Sequence, residues 1–372
     1  MKNLLLITGA GASHDVVDFN AVDVDLICRP PLTRHLFRPP FEYVIKDGET
    51  AVVQSKYIDT CLERHPIAQA VGIGLTTNIH RDDSQDAGME KILLNIKNHP
   101  KKLTRRKFWT VPIYLYDLFT YLSKNYIRCI TRAPVATNYT WLIDAINNSE
   151  YEQLIWLNLN YDLFADFAIK SAANTNLDNF EKYMRLQTPD GLKIKYTKPH
   201  GSIDWYKTIN VNGLGVNSLS QDALSTNESM IPDDLEKRLS TQTLTHQEVV
   251  NNKLNSNLCY PAITAPLGQY NYVIKDHITQ IIKDLKTTTD ILCVGFSALD
   301  EDILDLMKEH IPSVDKLLLV NNDVSSGELA YERIKKHVKT FKAVKSMSLF
   351  NGGFSGFVKN GLKQWLKNEY EG

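Results

Sequence analysis

The first residues of the chain constrain its fold more than any other segment. Leu4-Leu5-Leu6-Ile7 is an uninterrupted apolar run, Thr8 follows it, and Gly9-Ala10-Gly11-Ala12-Ser13 comes next. A short apolar run that ends in glycine is typical of a parallel strand buried on both faces. The segment therefore predicts an α/β fold in which a buried strand runs directly into a turn.

The glycine turn is a candidate phosphate site. Glycine lets the chain turn tightly and leaves room for a ligand, so backbone N–H groups and a helix N-terminus can approach a phosphate here. Ser13 is placed to cap that helix. His14 occupies the third-glycine position of the dehydrogenase fingerprint, and no acidic residue clearly ends a second strand about 20 residues on. The motif by itself leaves nucleotide binding and a plain tight turn both open.

Further short apolar segments predict more strands of the same sheet. Most of them end in small or polar residues and alternate with segments of helical periodicity, as a doubly wound parallel sheet requires. The sequence thus predicts an α/β, Rossmann-like architecture, with additional strands at Gln153–Leu157, Lys193–Thr197, Asp290–Val294 and Lys316–Val320.

The length of 372 residues predicts one domain over residues 1–372 that carries two insertions. The first, at about 78–150, is helical and has one apolar face, which is most simply a core-facing stripe. The second, at about 206–258, is rich in Asn, Ser, Thr and Gln and predicts a loop outside the core. The stripe of the helical insertion consists of Phe108, Val111, Leu115, Leu118 and Leu122.

Charge and cysteine content exclude several classes of protein. Lys and Arg number 42 against 43 Asp and Glu, so no global charge favours general binding to nucleic acid or to an anionic membrane. The 5 cysteines are far apart and form no Cys-x-x-Cys pair, which excludes a zinc ribbon of the usual spacing and a disulfide-rich scaffold. The apolar start is shorter than a signal peptide needs, and no apolar stretch is long enough to span a membrane. We expect a cytoplasmic protein without a bound metal.

Polar residues follow two of the predicted strands. Asn160-Tyr161-Asp162 lies where a strand passes into a helix, and Pro199-His200-Gly201-Ser202 follows another strand. An amide, a carboxylate and an imidazole at strand ends can hold a dinucleotide and activate a hydroxyl group or a water molecule. The structural alternative is that Asn160 caps the helix, that Asp162 binds its first-turn N–H groups and that His200 is a buried, hydrogen-bonded histidine.

The ordered set of these motifs resembles the sirtuin (Sir2-type) NAD-binding core. The resemblance is carried by Gly9–Ser13, Asn160–Asp162, His200-Gly201, Gly295-Phe296-Ser297 and Val320-Asn321, and it spans most of the chain. Cys28-Arg29-Pro30-Pro31-Leu32 is similar to the Pro-Pro-Leu loop of bacterial sirtuin-like proteins of antiphage defence, such as the NAD hydrolases paired with HerA-like ATPases. The resemblance implies a sirtuin-type fold and NAD as substrate.

Two departures from the deacetylating sirtuins are informative. The four-cysteine zinc module that follows the catalytic His-Gly in those enzymes is missing, and no valine-rich segment for an acyl-lysine peptide follows Ser297. Without a peptide cleft, water is the most available acceptor. The resemblance therefore implies an NAD glycohydrolase that releases nicotinamide and ADP-ribose and depletes NAD in abortive infection.

The resemblance also implies roles for individual residues. Asn160 would orient the ribose hydroxyls and the attacking water, His200 would be the general base, and Asp162 would fix the loop geometry or bias the nicotinamide end. The glycine turn would cradle the pyrophosphate, and Ser297 and Asn321 would lie near the adenosine. The full set of NAD-binding candidates is Gly9, Ala10, Gly11, Ala12, Ser13, Pro31, Leu32, Tyr161, Gly295, Phe296, Ser297 and Asn321.

The same resemblance implies partners. We expect a homo-oligomer and a partner protein such as a HerA-like hexameric ATPase or an Argonaute-type protein, with no direct nucleic-acid binding required and no membrane. Two other functions remain open: an NAD-dependent deacylase or ADP-ribosyltransferase, and a noncatalytic nucleotide-binding subunit of a larger complex. The basic segment Lys101–Lys107 is most simply a solvated helix face.

Overall fold

The computed structural model divides into two compact units. One unit comprises residues 1–23, 129–199 and 268–372, and the other comprises residues 24–128 and 200–267. The predicted single domain with two insertions stays a prediction. The structure describes residues 2–17, 30–32, 36–37, 41–44, 50–53, 56–79, 93, 95–132, 137–212, 231–232, 234–254, 259–264, 273–322, 324–338 and 344–370.

Helices follow one another between residues 56 and 147, and strands and helices alternate from residue 259 to residue 360. The strands are β1 (Lys2–Thr8), β2 (Phe41–Val44), β3 (Thr50–Val53), β4 (Tyr151–Asn158), β5 (Leu186–Gln187), β6 (Lys193–Thr197), β7 (Gly201–Ile209), β8 (Leu239–Thr245), β9 (Cys259–Ile263), β10 (Asp290–Val294), β11 (Val314–Val320) and β12 (Val344–Phe350). The helices are α1 (Ala10–His14), α2 (Lys56–Arg64), α3 (Pro66–Ile79), α4 (Lys102–Phe108), α5 (Val111–Arg132), α6 (Asn138–Asn147), α7 (Phe164–Ala172), α8 (Phe180–Tyr183), α9 (Leu235–Arg238), α10 (His246–Asn251), α11 (Lys275–Leu285), α12 (Glu301–His310), α13 (Val324–Val338), α14 (Gly353–Asn360) and α15 (Leu362–Leu366).

The first unit is built on a seven-stranded sheet in the order β12-β11-β10-β1-β4-β6-β5. Every neighbouring pair is parallel except β5 and β6. The central strand β1 is almost entirely buried, because a parallel sheet with helices on both faces leaves its middle strands no contact with water. Thr8 pairs with Asn158 of β4 on one side and with Val294 of β10 on the other, so the three strands end at the same level.

Most of the described helices of this unit contact one another in two groups. One group contains α1, α6, α7, α14 and α15, and the other contains α11, α12 and α13. After β1, the chain first adds β4 and its neighbours on one side of β1. It later adds β10, β11 and β12, in that order, on the other side. Since right-handed crossovers in opposite directions place their helices on opposite faces, the sheet is doubly wound. The predicted fold class is confirmed.

The second unit contains the antiparallel sheet β8-β7-β9 and the hairpin of β2 and β3. The predicted stripe on the helical segment is confirmed as core, since Phe108, Val111, Leu115, Leu118 and Leu122 are buried. The expectation that 206–258 lies outside the core is wrong for its described parts, where β7 and β8 pair and several apolar residues pack together. These residues include Tyr206, Ile209, Leu235, Leu244 and Val249.

No described helix is both long enough and apolar enough to span a membrane.

Candidate functional site

The carboxyl ends of four parallel strands place several of the predicted residues at one edge of the sheet. Gly9 follows β1, Asn160 lies just after β4, Gly295 follows β10 and Asn321 follows β11. Successive strands are added on one side of β1 and later, from β10 on, on its other side, and open α/β sheets bind ligands in the crevice at such a switch point. The glycine turn lies at this crevice.

The glycine turn packs directly against the loop that follows β10. The N–H of Gly9 donates to the carbonyl of Val294 (3.0 Å), and the N–H of Gly11 donates to the carbonyl of Gly295 (3.2 Å). Gly295 has a φ of +59°, and a β-carbon there would lie 2.2 Å from the nitrogen of Ala12. The glycines therefore allow two backbones to touch, and the N–H groups of both glycines of the turn bind carbonyls of the neighbouring chain.

Helix α1 begins at Ala10 with Gly9 as its N-cap, so the expectation that Ser13 caps this helix is wrong. Ser13 lies inside the helix, where it is buried, and its hydroxyl group lies 3.1 Å from that of Tyr139. The helix starts earlier than expected because Gly9 already provides the extended cap conformation, with φ −110° and ψ −171°.

Asn160 is held from several sides. Its Nδ2 donates to the carbonyl of Gly9 (2.9 Å) and to the hydroxyl of Ser13 (2.9 Å), and its backbone N–H donates to Oδ1 of Asn158 (3.2 Å). Since an amide nitrogen has two protons, these bonds leave Oδ1 as the group that can accept a hydrogen bond from a ligand. Asn160 does not cap a helix, because α7 begins four residues later with Leu163 as its N-cap.

Asp162 is 1% exposed and lies at the start of α7. Its Oδ1 accepts a hydrogen bond from the N–H of Phe164 (3.1 Å), as the structural alternative expects. Burial raises the pKa of Asp162 to about 6, although the charge of Lys198 and hydrogen bonds from Ser13 and Phe164 act in the opposite direction. The carboxyl group therefore titrates close to neutral pH.

Two residues of this site were not found from the sequence. Lys198 is completely buried, and its ammonium group lies against Asp166 (3.1 Å) and the carbonyl oxygen of Asp162 (2.5 Å). Tyr139 is also completely buried and packs on Trp156, with its hydroxyl group beside that of Ser13. From the sequence alone, a lysine is expected at the protein surface. The position of Lys198 directly before Pro199-His200 was therefore the one indication that it belongs to the site.

The other predicted residues of the first unit differ in exposure. Tyr161 and Phe296 are buried. Ser297 is exposed, and its carbonyl accepts a hydrogen bond from Arg333 (3.0 Å). Asn321 is half-buried, and its backbone bonds to Phe350 and Gly353. The NAD-binding roles of these residues stay predictions.

The predicted residues His200, Gly201, Pro31 and Leu32 belong to the second unit. His200 is half-buried, and its carbonyl oxygen accepts a hydrogen bond from the N–H of Thr264 (2.8 Å). Gly201 has a φ of +92°, and a β-carbon there would lie 1.9 Å from the carbonyl oxygen of Ala262. Pro31 is buried and Leu32 is half-buried. The general-base role of His200 stays a prediction, and Cys28-Arg29 lies outside the described residues.

Among the residues that the structure describes, no group of three or more His, Cys, Asp or Glu side chains is arranged to hold a metal ion. Cys61, Cys259 and Cys293 are buried free thiols.

The sequence matches no protein-family model and no curated protein. A solved structure described as "Structural Basis for the Mechanism and Regulation of Sir2 Enzymes" aligns with 99% of this chain and 94% of its own chain, at 12% identity and a TM-score of 0.39. A likeness at this identity and TM-score does not assign the chain to a family.

Proposed function

We propose that this protein is an NAD glycohydrolase, which cleaves the nicotinamide–ribose bond of NAD and releases nicotinamide and ADP-ribose. The proposal joins the sirtuin-like order of motifs in the sequence to the arrangement at the carboxyl edge of the parallel sheet. In that arrangement the glycine turn, Asn160 and Gly295 lie around the switch point between β1 and β10, where α/β sheets bind nucleotides.

The observation that carries the proposal is the orientation of Asn160. Both protons of Nδ2 are directed to Gly9 and Ser13, so the amide presents its oxygen as an acceptor. An acceptor suits a ribose hydroxyl group or a water molecule, each of which can donate. A helix-capping asparagine would instead place its side-chain oxygen on a backbone N–H of α7, and Asn160 does not.

The chemistry requires little acid catalysis. The pyridinium ring is cationic and leaves as neutral nicotinamide, so the protein has to favour an oxocarbenium-like ribose and supply a nucleophile. Asn160 would orient the ribose hydroxyls and the attacking water. His200 would accept a proton from a hydroxyl group or from that water, a role worth about 10²- to 10⁴-fold in rate. Asp162 would hold the loop and contribute negative charge near the cationic ring.

The glycine turn would shape the crevice for the pyrophosphate. The N–H groups of Gly9 and Gly11 are bound to the carbonyls of Val294 and Gly295, and a β-carbon at either glycine would meet Gly295, so the missing side chains make room for the chain after β10. Gly295, Ser297 and Asn321 would lie along the adenosine end. Water would be the acceptor, since the chain lacks the zinc module and the acyl-peptide segment of the deacetylating sirtuins.

In the cell this activity would deplete NAD during phage infection. Such an enzyme must be restrained, so the proposal includes a homo-oligomer and an activating partner such as a HerA-like ATPase or an Argonaute-type protein. Nucleic acid would be sensed through that partner, because the net charge of the chain is −1.

The test is to incubate the purified chain with NAD, with and without a HerA-like or Argonaute-type partner, and to follow nicotinamide and ADP-ribose. We expect release by the wild type and at least about 100-fold slower release by Asn160→Ala and His200→Ala. Equal release by all three proteins would refute the assigned roles. Release only on addition of an acylated peptide would favour a deacylase. Binding of ADP-ribose without turnover under any condition would favour a noncatalytic subunit.

A further inference from the structure

A fully buried ion pair lies next to the loop that carries Asn160 and Asp162. The side chains of Lys198 and Asp166 are both 0% exposed, and Nζ of Lys198 lies 3.1 Å from Oδ2 of Asp166. Removing two charges from water has a large desolvation cost, and an apolar pair of similar volume is often at least as stable. A contribution to the stability of the fold is therefore a weak explanation for the presence of this ion pair.

Lys198 uses its remaining donors on the loop. An ammonium group has three N–H donors, and besides Asp166 the Nζ atom contacts the carbonyl oxygens of Tyr161 (3.3 Å) and Asp162 (2.5 Å). The main chain that connects Asn160 to α7 is thus bound at two successive carbonyls by one buried cation. Charge-assisted hydrogen bonds of this kind are roughly twice as strong as neutral ones.

The other member of the ion pair is connected to the same loop by a second route. Oδ2 of Asp166 accepts a hydrogen bond from the hydroxyl of Tyr196 (3.0 Å), which in turn accepts one from Nδ2 of Asn158 (2.8 Å). Oδ1 of Asn158 accepts the backbone N–H of Asn160 (3.2 Å). The loop is therefore held at Asn160 through Asn158 and at the next two residues by Lys198.

We propose that Lys198 is a positioning residue of the site, whose ammonium group fixes the main chain of residues 161–162 and thereby the side chains of Asn160 and Asp162. The catalytic part of this proposal rests on the proposed NAD glycohydrolase activity. Lys198 acts through the loop and has no assigned contact with NAD.

The ion pair also sets the charge around Asp162. Lys198 lowers the pKa of Asp162, Asp166 raises it, and the other groups that act on it are the hydroxyl of Ser13 and the N–H of Phe164. Replacement of Lys198 by a neutral residue should therefore move the titration of Asp162 to higher pH. Replacement by arginine keeps the charge and should leave that titration near its present position.

The experiment compares Lys198→Met, Lys198→Arg and the double variant Lys198→Met/Asp166→Leu with the wild type. Lys198→Met leaves Asp166 buried without its cation, and we expect both a lower thermal midpoint and a loss of kcat of about 100-fold. The double variant removes both charges, so its thermal midpoint should recover while its kcat stays low. Recovery of kcat together with stability in the double variant would overturn the proposal, because Lys198 would then only balance the charge of Asp166.

Two further measurements separate this proposal from the proposed function. The acid limb of kcat/KM should move to higher pH in Lys198→Met and stay in place in Lys198→Arg.

Amide hydrogen exchange of residues 159–164, measured on the full chain by mass spectrometry, should accelerate in the double variant while exchange in β1 stays unchanged. Unchanged exchange at 159–164 would refute the positioning role. If the wild type released no nicotinamide, the proposed function would fail, and the exchange measurement would still decide the role of Lys198.

Discussion

Nδ2 of Asn160 donates a hydrogen bond to the hydroxyl of Ser13 across 2.9 Å, although 147 positions separate the two residues in the sequence. The bond joins the loop after β4 to the first helix. Together with the bond to the carbonyl of Gly9, it fixes which end of the Asn160 amide faces outward. The glycine turn and Asn160 are therefore linked by hydrogen bonds, and changes in the turn should alter the orientation of the Asn160 amide and its role in the reaction.

Ser13→Ala should slow nicotinamide release. The change removes one acceptor of Asn160 Nδ2, and the loss of one hydrogen bond of about 1–1.5 kcal/mol corresponds to about tenfold in kcat. The matched control is Ser149→Ala, which lies just before the amino end of β4 and bonds to the carbonyl of Ile146. Steady-state kinetics that show the same kcat for both variants would contradict the role of Ser13.

Gly295→Ala should destabilise the first unit. The φ of +59° is unfavourable for alanine, and the new β-carbon would lie 2.2 Å from the nitrogen of Ala12, so we expect a loss of about 3 kcal/mol in the free energy of unfolding. Gly356→Ala is the control, because its β-carbon would meet its nearest neighbour, Phe350, at 3.6 Å inside helix α14 and should stabilise by about 0.5–1 kcal/mol. Urea unfolding that gives equal values for the two variants would refute the close contact of the two loops.

The rate of nicotinamide release should fall as the pH drops through about 6. Burial raises the pKa of Asp162 to about 6, so this carboxyl group becomes protonated there and loses its charge. Asp162→Asn should remove the part of this fall that Asp162 causes in a plot of kcat/KM against pH, and leave the part that the proposed base His200 causes. Asp178→Asn, which alters a surface pair with Lys182, should leave the whole fall unchanged. A profile that is flat between pH 7.5 and 5 in the wild type would contradict the assignment.

His277 should make the protein less stable in mild acid. Its ring bonds to the carbonyl of Phe180 and to the hydroxyl of Thr197, and burial lowers its pKa from 6.5 to about 4. The unfolded chain therefore binds a proton that the folded protein does not, and the free energy of unfolding should fall by roughly 3 kcal/mol between pH 6.5 and pH 4 through this residue.

Asp162 acts in the opposite sense, because a raised pKa in the folded state favours folding as the pH falls from about 6. The contribution of His277 is therefore measured as the difference in urea unfolding between the wild type and His277→Gln at pH 7, 6, 5 and 4.5. An equal slope against pH in both proteins would show that His277 does not make this contribution.

The sequence by itself determined the elements of the parallel sheet and the residues at their ends. The apolar runs at Leu4, Leu154, Asp290–Val294 and Leu317 form strands of the sheet, because a strand buried on both faces must be apolar at nearly every position. The positions of Gly9 and Asn160 at one edge follow from the same pattern, since the carboxyl ends of parallel strands lie together.

Only the tertiary structure decided which side chains meet behind that edge. The buried pair of Lys198 and Asp166, the hydroxyl of Tyr139 beside Ser13, and the contact of Gly11 with Gly295 join segments that are far apart in the chain, and no local period marks them. Tertiary contacts also explain why the polar stretch after Tyr206 forms strands. Its few apolar residues are buried against partners on other segments, so its local composition could not reveal that it belongs to the core.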